Sequence, residues 1–157
     1  MQFCMLPFFI EELSLFDIDR VLKIIKQENK RFVEPIVTTI SRERTPFHVL
    51  ISCLLSLRTR DQTTREASNR LFAVADNPED IMKIPAERLE KLIYPVGFYR
   101  TKARKIKEIC DVLIQTYQGK VPDEIDELLK LNGVGRKTAN LVVTLGYQKP
   151  GICVDTH

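Results

Sequence analysis

The chain has 157 residues, of which 44% are hydrophobic and 29% are charged, and its formal net charge is +3. This length allows one domain with a substantial core, or two small ones. The small positive excess neither identifies nor excludes a nucleic-acid partner, so local basic clusters say more than the total. No apolar stretch is long enough to span a membrane, and the apolar start runs into Glu11 and Glu12 without a basic residue, which does not fit a signal peptide.

Helical spacing of apolar residues recurs along most of the chain, and no convincing strand pattern is present. The fold class is therefore predicted to be all-α. A polar connection is predicted over residues 35–45, ending where Thr45 as N-cap and Pro46 in the first turn favour a helix start. The predicted helices are Asp17–Phe32, Phe47–Leu57, Asp61–Ala75, Glu79–Lys83, Ala86–Ile93, Thr101–Tyr117 (stopped by Gly119) and one that carries Ile125, Leu128 and Leu129.

The four cysteines are too far apart in sequence to form the ligand pairs of zinc or iron–sulfur sites. Cys53 and Cys110 fall within apolar helical patterns, which predicts small core residues. Cys4 and Cys153 complete the set. We therefore expect no metal site and no cofactor bound by the residues present, and a reducing compartment.

The stretch Leu131–Asn140, L-N-G-V-G-R-K-T-A-N, is predicted to form a tight hairpin between two helices. Gly133 and Gly135 allow backbone conformations that a side chain would disfavour, and a helix begins near Arg136. The hairpin then directs backbone N–H groups at a helix N-terminus outward, an arrangement that binds phosphate. The sequence thus predicts a phosphate-binding hairpin with Lys137 in the first turn of its second helix.

This stretch resembles the helix-hairpin-helix of endonuclease III-type DNA glycosylases, and Val154-Asp155-Thr156-His157 resembles the Asp-containing stretch of the same family. Both motifs in this order, with this spacing and the lysine, are specific, whereas G-V-G alone would be weak. The resemblance implies a six-helix helix-hairpin-helix glycosylase domain with an incomplete second helical domain. The implied division is 1–32 for the N-terminal segment and helix of that second domain, 33–150 for the six-helix domain and 151–157 for the start of the remainder.

The resemblance also implies an activity: a base-excision repair glycosylase with apurinic/apyrimidinic (AP) lyase activity. Its partner would be double-stranded DNA with an oxidised pyrimidine or an abasic site, bound by an intracellular monomer in the cytoplasm or at the nucleoid. The damaged nucleotide would be flipped out, and the Lys137 amine would attack sugar C1′, form a Schiff base and lead to β-elimination. Asp155 would accept a proton or stabilise an oxocarbenium-like sugar.

Further positions match segments that contact DNA in this family. Leu54–Asp61 resembles the loop that enters the duplex, although Arg58 stands where relatives commonly have glutamine. Val96–Tyr99 matches the wedge turn, where Phe98 would support an unstacked base step. Asn132 replaces the proline usual in the hairpin. The hairpin residues implied to contact DNA are Gly133, Val134, Gly135, Arg136 and Thr138.

Each of these interpretations has an alternative. Lys137 could be an ordinary phosphate contact, Asp155 a helix N-cap and Phe98 a core aromatic. The basic residues of Arg100–Lys107 could form a solvated helix face rather than a surface for phosphates. Leu89–Ala103 repeats the order of the hairpin, a helix, a Val-Gly turn and a lysine-bearing helix, either by chance or as a second loop that faces DNA.

Two other functions remain open from the sequence. One is a non-catalytic helix-hairpin-helix DNA-binding module. The other is a monofunctional mismatch glycosylase, although relatives of that kind lack a lysine at the position of Lys137. Family members continue past the matched region with helices that complete the second domain, and most carry four cysteines there for a [4Fe–4S] cluster. We therefore expect a fragment or a truncated product that binds DNA but cleaves it poorly, and a cluster only if the longer protein has those cysteines.

Overall fold

The structure, a computed structural model, describes residues 17–32, 37–39 and 45–154. The chain divides into two compact units, residues 1–34 and residues 35–157. All regular elements in the described residues are helical, and no strand occurs among them. The predicted all-α class is therefore confirmed, while the predicted domain assignment stays a prediction.

The described part of the first unit is one helix and a short turn. Helix α1 covers Ile18–Glu28, and a 3-10 turn follows at Asn29–Arg31. The side chain of Asp17 caps the helix, accepting a hydrogen bond from the backbone N–H of Arg20 at 3.0 Å. The helix predicted for this segment is thus present, with its last residues wound more tightly.

The second unit contains seven α-helices in its described residues, together with a helical turn at residues 37–39. The predicted polar connection is therefore wrong at this turn, where Val37 is buried in the core. Ile36 and Val37 stand four and three residues before Ile40, so a short signal of helical spacing was present within this otherwise polar stretch. The helices are α2 Pro46–Ser56, α3 Asp61–Phe72, α4 Pro78–Lys83, α5 Ala86–Ile93, α6 Tyr99–Tyr117, α7 Ile125–Leu128 and α8 Arg136–Leu141, which continues into a π-helical turn at Val142–Gly146.

Helix α2 is the centre of the core. It packs against α3, α6, α8 and the π-helical turn, and Val49, Leu50 and Ile51 on it have no solvent exposure. This burial on all sides explains why the helix is apolar nearly all round. Cys53 and Cys110 are buried as predicted, and burial raises the pKa of each thiol to about 12.

Helix α6 begins two residues earlier than its apolar pattern predicted. Phe98 precedes it in the left-handed conformation, with φ 57° and ψ 35°, and its carbonyl accepts a hydrogen bond from Lys102 N at 3.0 Å. The helix ends where Gln118 and Gly119 both take positive φ, which confirms the predicted stop at the glycine. Both ends of α6 are therefore set by left-handed residues.

Candidate DNA-binding and active site

The hairpin is anchored by two apolar side chains and exposes backbone between them. Leu131 and Val134 are 1% and 6% exposed, and Val134 N donates to Leu131 O at 3.0 Å. Gly133 has φ 93°, a conformation that favours glycine. Gly135 caps α8, and no atom lies within 4 Å of where its Cβ would stand. The hairpin therefore has a fixed base and an open backbone tip.

Helix α6 supports this hairpin from one side. The Asn132 amide donates to the Glu108 carboxylate at 3.0 Å. The residue that replaces the usual proline is therefore hydrogen-bonded to α6. The Lys105 side chain lies over Gly133, where a Cβ would stand 3.2 Å from Lys105 Nζ. A positive charge therefore stands beside the exposed backbone of the hairpin.

The basic cluster predicted between Arg100 and Lys107 is not a single surface. Lys102 is buried, with 8% of its surface exposed. Arg100 lies 3.7 Å from the Glu90 carboxylate, and Lys107 Nζ donates to Met82 O at 3.2 Å. Neither sequence interpretation, a solvated face or a phosphate surface, describes the whole cluster, because one member points into the protein.

Lys137 lies in the first turn of α8 and is exposed. It lines a cavity of about 270 Å³ together with Arg58, so two of the predicted site residues meet there. Cys153 Sγ lies 3.9 Å from Lys137 O, which brings the segment before Asp155 to this helix. Asp155 itself lies outside the described residues, so its pairing with Lys137 stays a prediction. The complete lining is Cys53, Ser56, Leu57, Arg58, Thr59, Lys137, Thr138 and Leu141.

Arg58 and Phe98 stand side by side at the surface. Phe98 is 65% exposed, so the alternative of a core aromatic is wrong. The guanidinium carbon of Arg58 lies 5.9 Å from the centre of the Phe98 ring, within the range of a cation–π contact. Both residues have positive φ, 51° and 57°, which is uncommon outside glycine and concentrated at functional turns.

The remaining residues predicted to contact DNA differ in solvent exposure. Arg136 is exposed. Val134 and Thr138 are 6% and 3% exposed, so their side chains face the protein. The prediction that these residues contact DNA stays a prediction, and at Val134 and Thr138 it does not rest on an exposed side chain.

It was not predicted from the sequence that Arg70 and Lys102 hydrogen-bond to backbone next to the turns that carry Phe98 and Arg58. Arg70 of α3 donates from Nε to Leu92 O at 3.0 Å, and a second bond from its guanidinium reaches Tyr94 O, just before the turn at residues 96–99. Lys102 Nζ donates to Leu57 O and to Thr59 Oγ1 in the loop after α2. A signal for Lys102 did exist, because it precedes the buried Ile106 by four residues and so shares its helix face.

Residues 17–32, 37–39 and 45–154 contain neither a metal-binding cluster nor a membrane-spanning helix. No three side chains of His, Cys, Asp or Glu there are grouped to hold a metal ion. These residues therefore do not fit an iron–sulfur cluster, and no chemical step is assigned to one. Within the same ranges, no helix has both the length and the apolar character needed to cross a membrane.

Comparison with known proteins gives a consistent assignment. The sequence model of one protein family, described as HhH-GPD superfamily base excision DNA repair protein, matches residues 51–157. Endonuclease III of Thermotoga maritima is 52% identical over 116 residues, which are 74% of this chain and 54% of that protein. Endonuclease III of Bacillus subtilis is 41% identical over 112 residues, 71% of this chain and 51% of the relative.

A solved structure shows the same fold. It is a trapped covalent intermediate of an endonuclease III with DNA, in an estranged-adenine complex, with 38% identity and a TM-score of 0.75. The match covers 93% of this chain and 64% of that one. The chain spans about half the length of the curated relatives it matches. The predicted resemblance to endonuclease III-type glycosylases is confirmed, and the chain belongs to the HhH-GPD superfamily of base excision DNA repair proteins.

Proposed function

We propose that the protein is a base-excision repair DNA glycosylase with AP lyase activity that removes oxidised pyrimidines from double-stranded DNA. The observation that carries this proposal is the cavity of about 270 Å³ lined by both Lys137 and Arg58. An amine on a cavity wall, beside a loop and an exposed aromatic side chain, suits an enzyme that must receive one nucleotide taken out of the stack. This DNA substrate implies action inside the cell, at the nucleoid.

The first part of the reaction is entry into the duplex. The exposed Phe98 ring would insert at the damaged step and compensate for lost stacking. Arg58, in contact with that ring, would face the base left without a partner. The hairpin backbone from Gly133 to Gly135, with the Lys105 ammonium beside it, would hold a phosphate nearby. Such contacts confer affinity that is independent of sequence and falls with added salt.

The second part is covalent catalysis. The neutral amine of Lys137 attacks C1′ of the flipped nucleotide, the N-glycosidic bond breaks, and the base leaves with the bonding electron pair and takes up a proton. Loss of an amine proton and opening of the sugar yield a C1′ imine, which acidifies the C2′ hydrogen. Removal of that C2′ proton breaks the C3′–O bond, and the strand is nicked. We assign proton transfer and charge stabilisation to Asp155.

Borohydride trapping tests this proposal. The chain is incubated with duplexes that carry an oxidised pyrimidine, an oxidised purine, a mismatch or an abasic site, and the imine is reduced to a stable protein–DNA cross-link. We expect slow but detectable trapping on the abasic duplex and on the oxidised pyrimidine. Binding without any trapped product would instead indicate a non-catalytic helix-hairpin-helix module, and base release without trapping would indicate a monofunctional glycosylase.

A further inference from the structure

We propose that Lys102 is a positioning residue that locks two turns together, so that they enter DNA as one unit. The first is the Arg58 turn, Leu57–Arg60, and the second is the Phe98 turn, Val96–Tyr99. This inference rests on the proposed function, since it assigns to Lys102 the support of the base-flipping step. Lys102 would touch neither the substrate nor the reacting atoms.

The buried ammonium of Lys102 has a complete set of acceptors. Its Nζ donates to Leu55 O at 2.8 Å, to Leu57 O at 2.5 Å and to Thr59 Oγ1 at 3.2 Å. Three donors are all that a lysine ammonium has. The Lys102 side chain therefore reaches from α6 to the C-terminal end of α2. All three of its N–H groups donate to the Arg58 turn or to the residues just before it.

Thr59 extends this link to the second turn. Its hydroxyl accepts a hydrogen bond from Gly97 N at 3.1 Å and donates to Leu57 O at 3.2 Å. With the bond from Lys102, its one donor and two acceptor sites are all engaged. The sequence of contacts from Lys102 through Thr59 to Gly97 thus joins the helix, the Arg58 turn and the Phe98 turn.

The two turns also meet backbone to backbone. A Cβ added to Gly97 would lie 2.6 Å from Arg58 O, closer than real contacts allow. Arg58 and Phe98 both hold left-handed conformations that persist only when neighbouring groups constrain them. Lys102 and Thr59 supply such a constraint, because their hydrogen bonds hold Leu57 and Thr59 on either side of Arg58 and Gly97 just before Phe98.

A simpler role for Lys102 would be to cap the C-terminus of α2, since cations favour that end of a helix. A cap can be made by a surface lysine, whose charge stays in water. Lys102 is instead buried, and burial lowers its pKa to about 8. A capping role also does not account for the bond from Thr59 to Gly97, which lies on a different segment.

The decisive variant is Thr59→Val, which removes the hydroxyl at nearly constant shape and leaves Lys102 on the α2 carbonyls. Thr59→Ser restores a hydroxyl, and Lys102→Met removes the ammonium. Lys107→Met is the matched control, because Lys107 lies on the same helix and also donates to a backbone carbonyl, that of Met82, but touches neither turn. Folding of each variant is checked by circular dichroism.

Two measurements distinguish positioning from stability. One is the fluorescence rise of 2-aminopurine placed next to a stable abasic analogue, which reports unstacking. The other is the rate of borohydride trapping on a lesion within a paired duplex and on the same lesion left unpaired. Because flipping a paired nucleotide costs a few kcal/mol more, we expect Thr59→Val and Lys102→Met to slow the paired reaction about tenfold and the unpaired one less than about twofold.

We expect Lys107→Met to behave like the wild type, and Thr59→Ser to recover most of the paired-lesion rate that Thr59→Val loses. Equal losses on paired and unpaired lesions, or no loss on either, would overturn the positioning role. If wild-type protein traps none of the duplexes but still raises the 2-aminopurine signal, the proposed lyase function fails while the variants continue to test Lys102. If the wild type gives no fluorescence change, the positioning proposal is overturned as well.

Discussion

The two turn-and-helix segments of the sequence repeat differ in where they place their lysine. Val96-Gly97 leads into α6 and Lys102, and Val134-Gly135 leads into α8 and Lys137. Lys102 is buried and its ammonium is held by three acceptors, whereas Lys137 is exposed on a cavity wall. A similar local sequence therefore supports two different environments.

The position of each lysine within its helix explains the contrast. Lys102 is the fourth residue of α6 and Lys137 the second of α8. Two positions correspond to about 200° of rotation around a helix, so the lysines face nearly opposite directions relative to the starts of their helices. Lys102 thereby shares the face of the buried Ile106, whereas Lys137 lies on an exposed part of α8.

The largest effect is expected where this contrast concerns chemistry. Lys137→Gln should abolish the borohydride cross-link to DNA, because it removes the only amine that the mechanism uses. Lys102→Gln should still form the cross-link, at a reduced rate. Gel shift measurements should show DNA binding by both variants. A cross-link that survives Lys137→Gln would move the nucleophile to another residue.

The glycines of the two segments provide a second comparison. A Cβ at Gly97 would collide with the backbone carbonyl of Arg58, whereas the space around Gly135 is open. Gly97→Ala should therefore lower the free energy of unfolding by about 1–3 kcal/mol, and Gly135→Ala should change it by less than about 0.5 kcal/mol. Urea denaturation of both variants measures the difference. Equal costs would mean that the two turns are not packed as described.

The buried lysine should make stability depend on pH. Burial lowers the pKa of Lys102 from 10.5 to about 8, so between these values the unfolded chain binds more protons than the folded one. The contribution of Lys102 to the free energy of unfolding should then rise with pH across this window, with a slope of up to about 1.4 kcal/mol per pH unit, and fall as pH drops through 8.

The quantity to measure is the difference in unfolding free energy between the wild type and Lys102→Met, determined by urea denaturation at several pH values. A range from about 7.5 to about 10 is suitable, because it extends about two pH units above the folded pKa of Lys102. Lys107→Met is measured in the same way, to control for the loss of a lysine from the same helix. A Lys102→Met difference that does not change with pH would contradict the lowered pKa.

The smallest expected effect concerns the contribution of the exposed Phe98 ring to stability. Phe98→Ala should change the free energy of unfolding by less than about 0.5 kcal/mol, since the ring is 65% exposed. Cleavage of a paired lesion should nevertheless slow more than cleavage of an unpaired one, because the ring compensates for unstacking. Thermal unfolding and the two cleavage rates test this. A large stability loss would indicate that the ring is structural.

Several features were predictable because their causes are local. The periodicity of apolar residues gave the helices of the second unit to within a few residues, and Gly119 gave the end of α6. The hairpin could be located from Gly133 and Gly135, and its lysine from the adjacent sequence. Val37 was not placed in the core, because Ile36, Val37 and Ile40 form only a short apolar pattern within an otherwise polar stretch.

The sequence by itself determined the all-α class, the hairpin and the presence of a lysine in its first helical turn, because helix formation and glycine turns depend on neighbouring residues. Only the tertiary structure decided that Arg58 and Phe98 stand side by side and that Lys102 hydrogen-bonds to the Arg58 turn. The acceptors of Lys102 are 43 to 47 residues away in sequence. Contacts over such distances depend on how helices pack, which a local pattern does not encode.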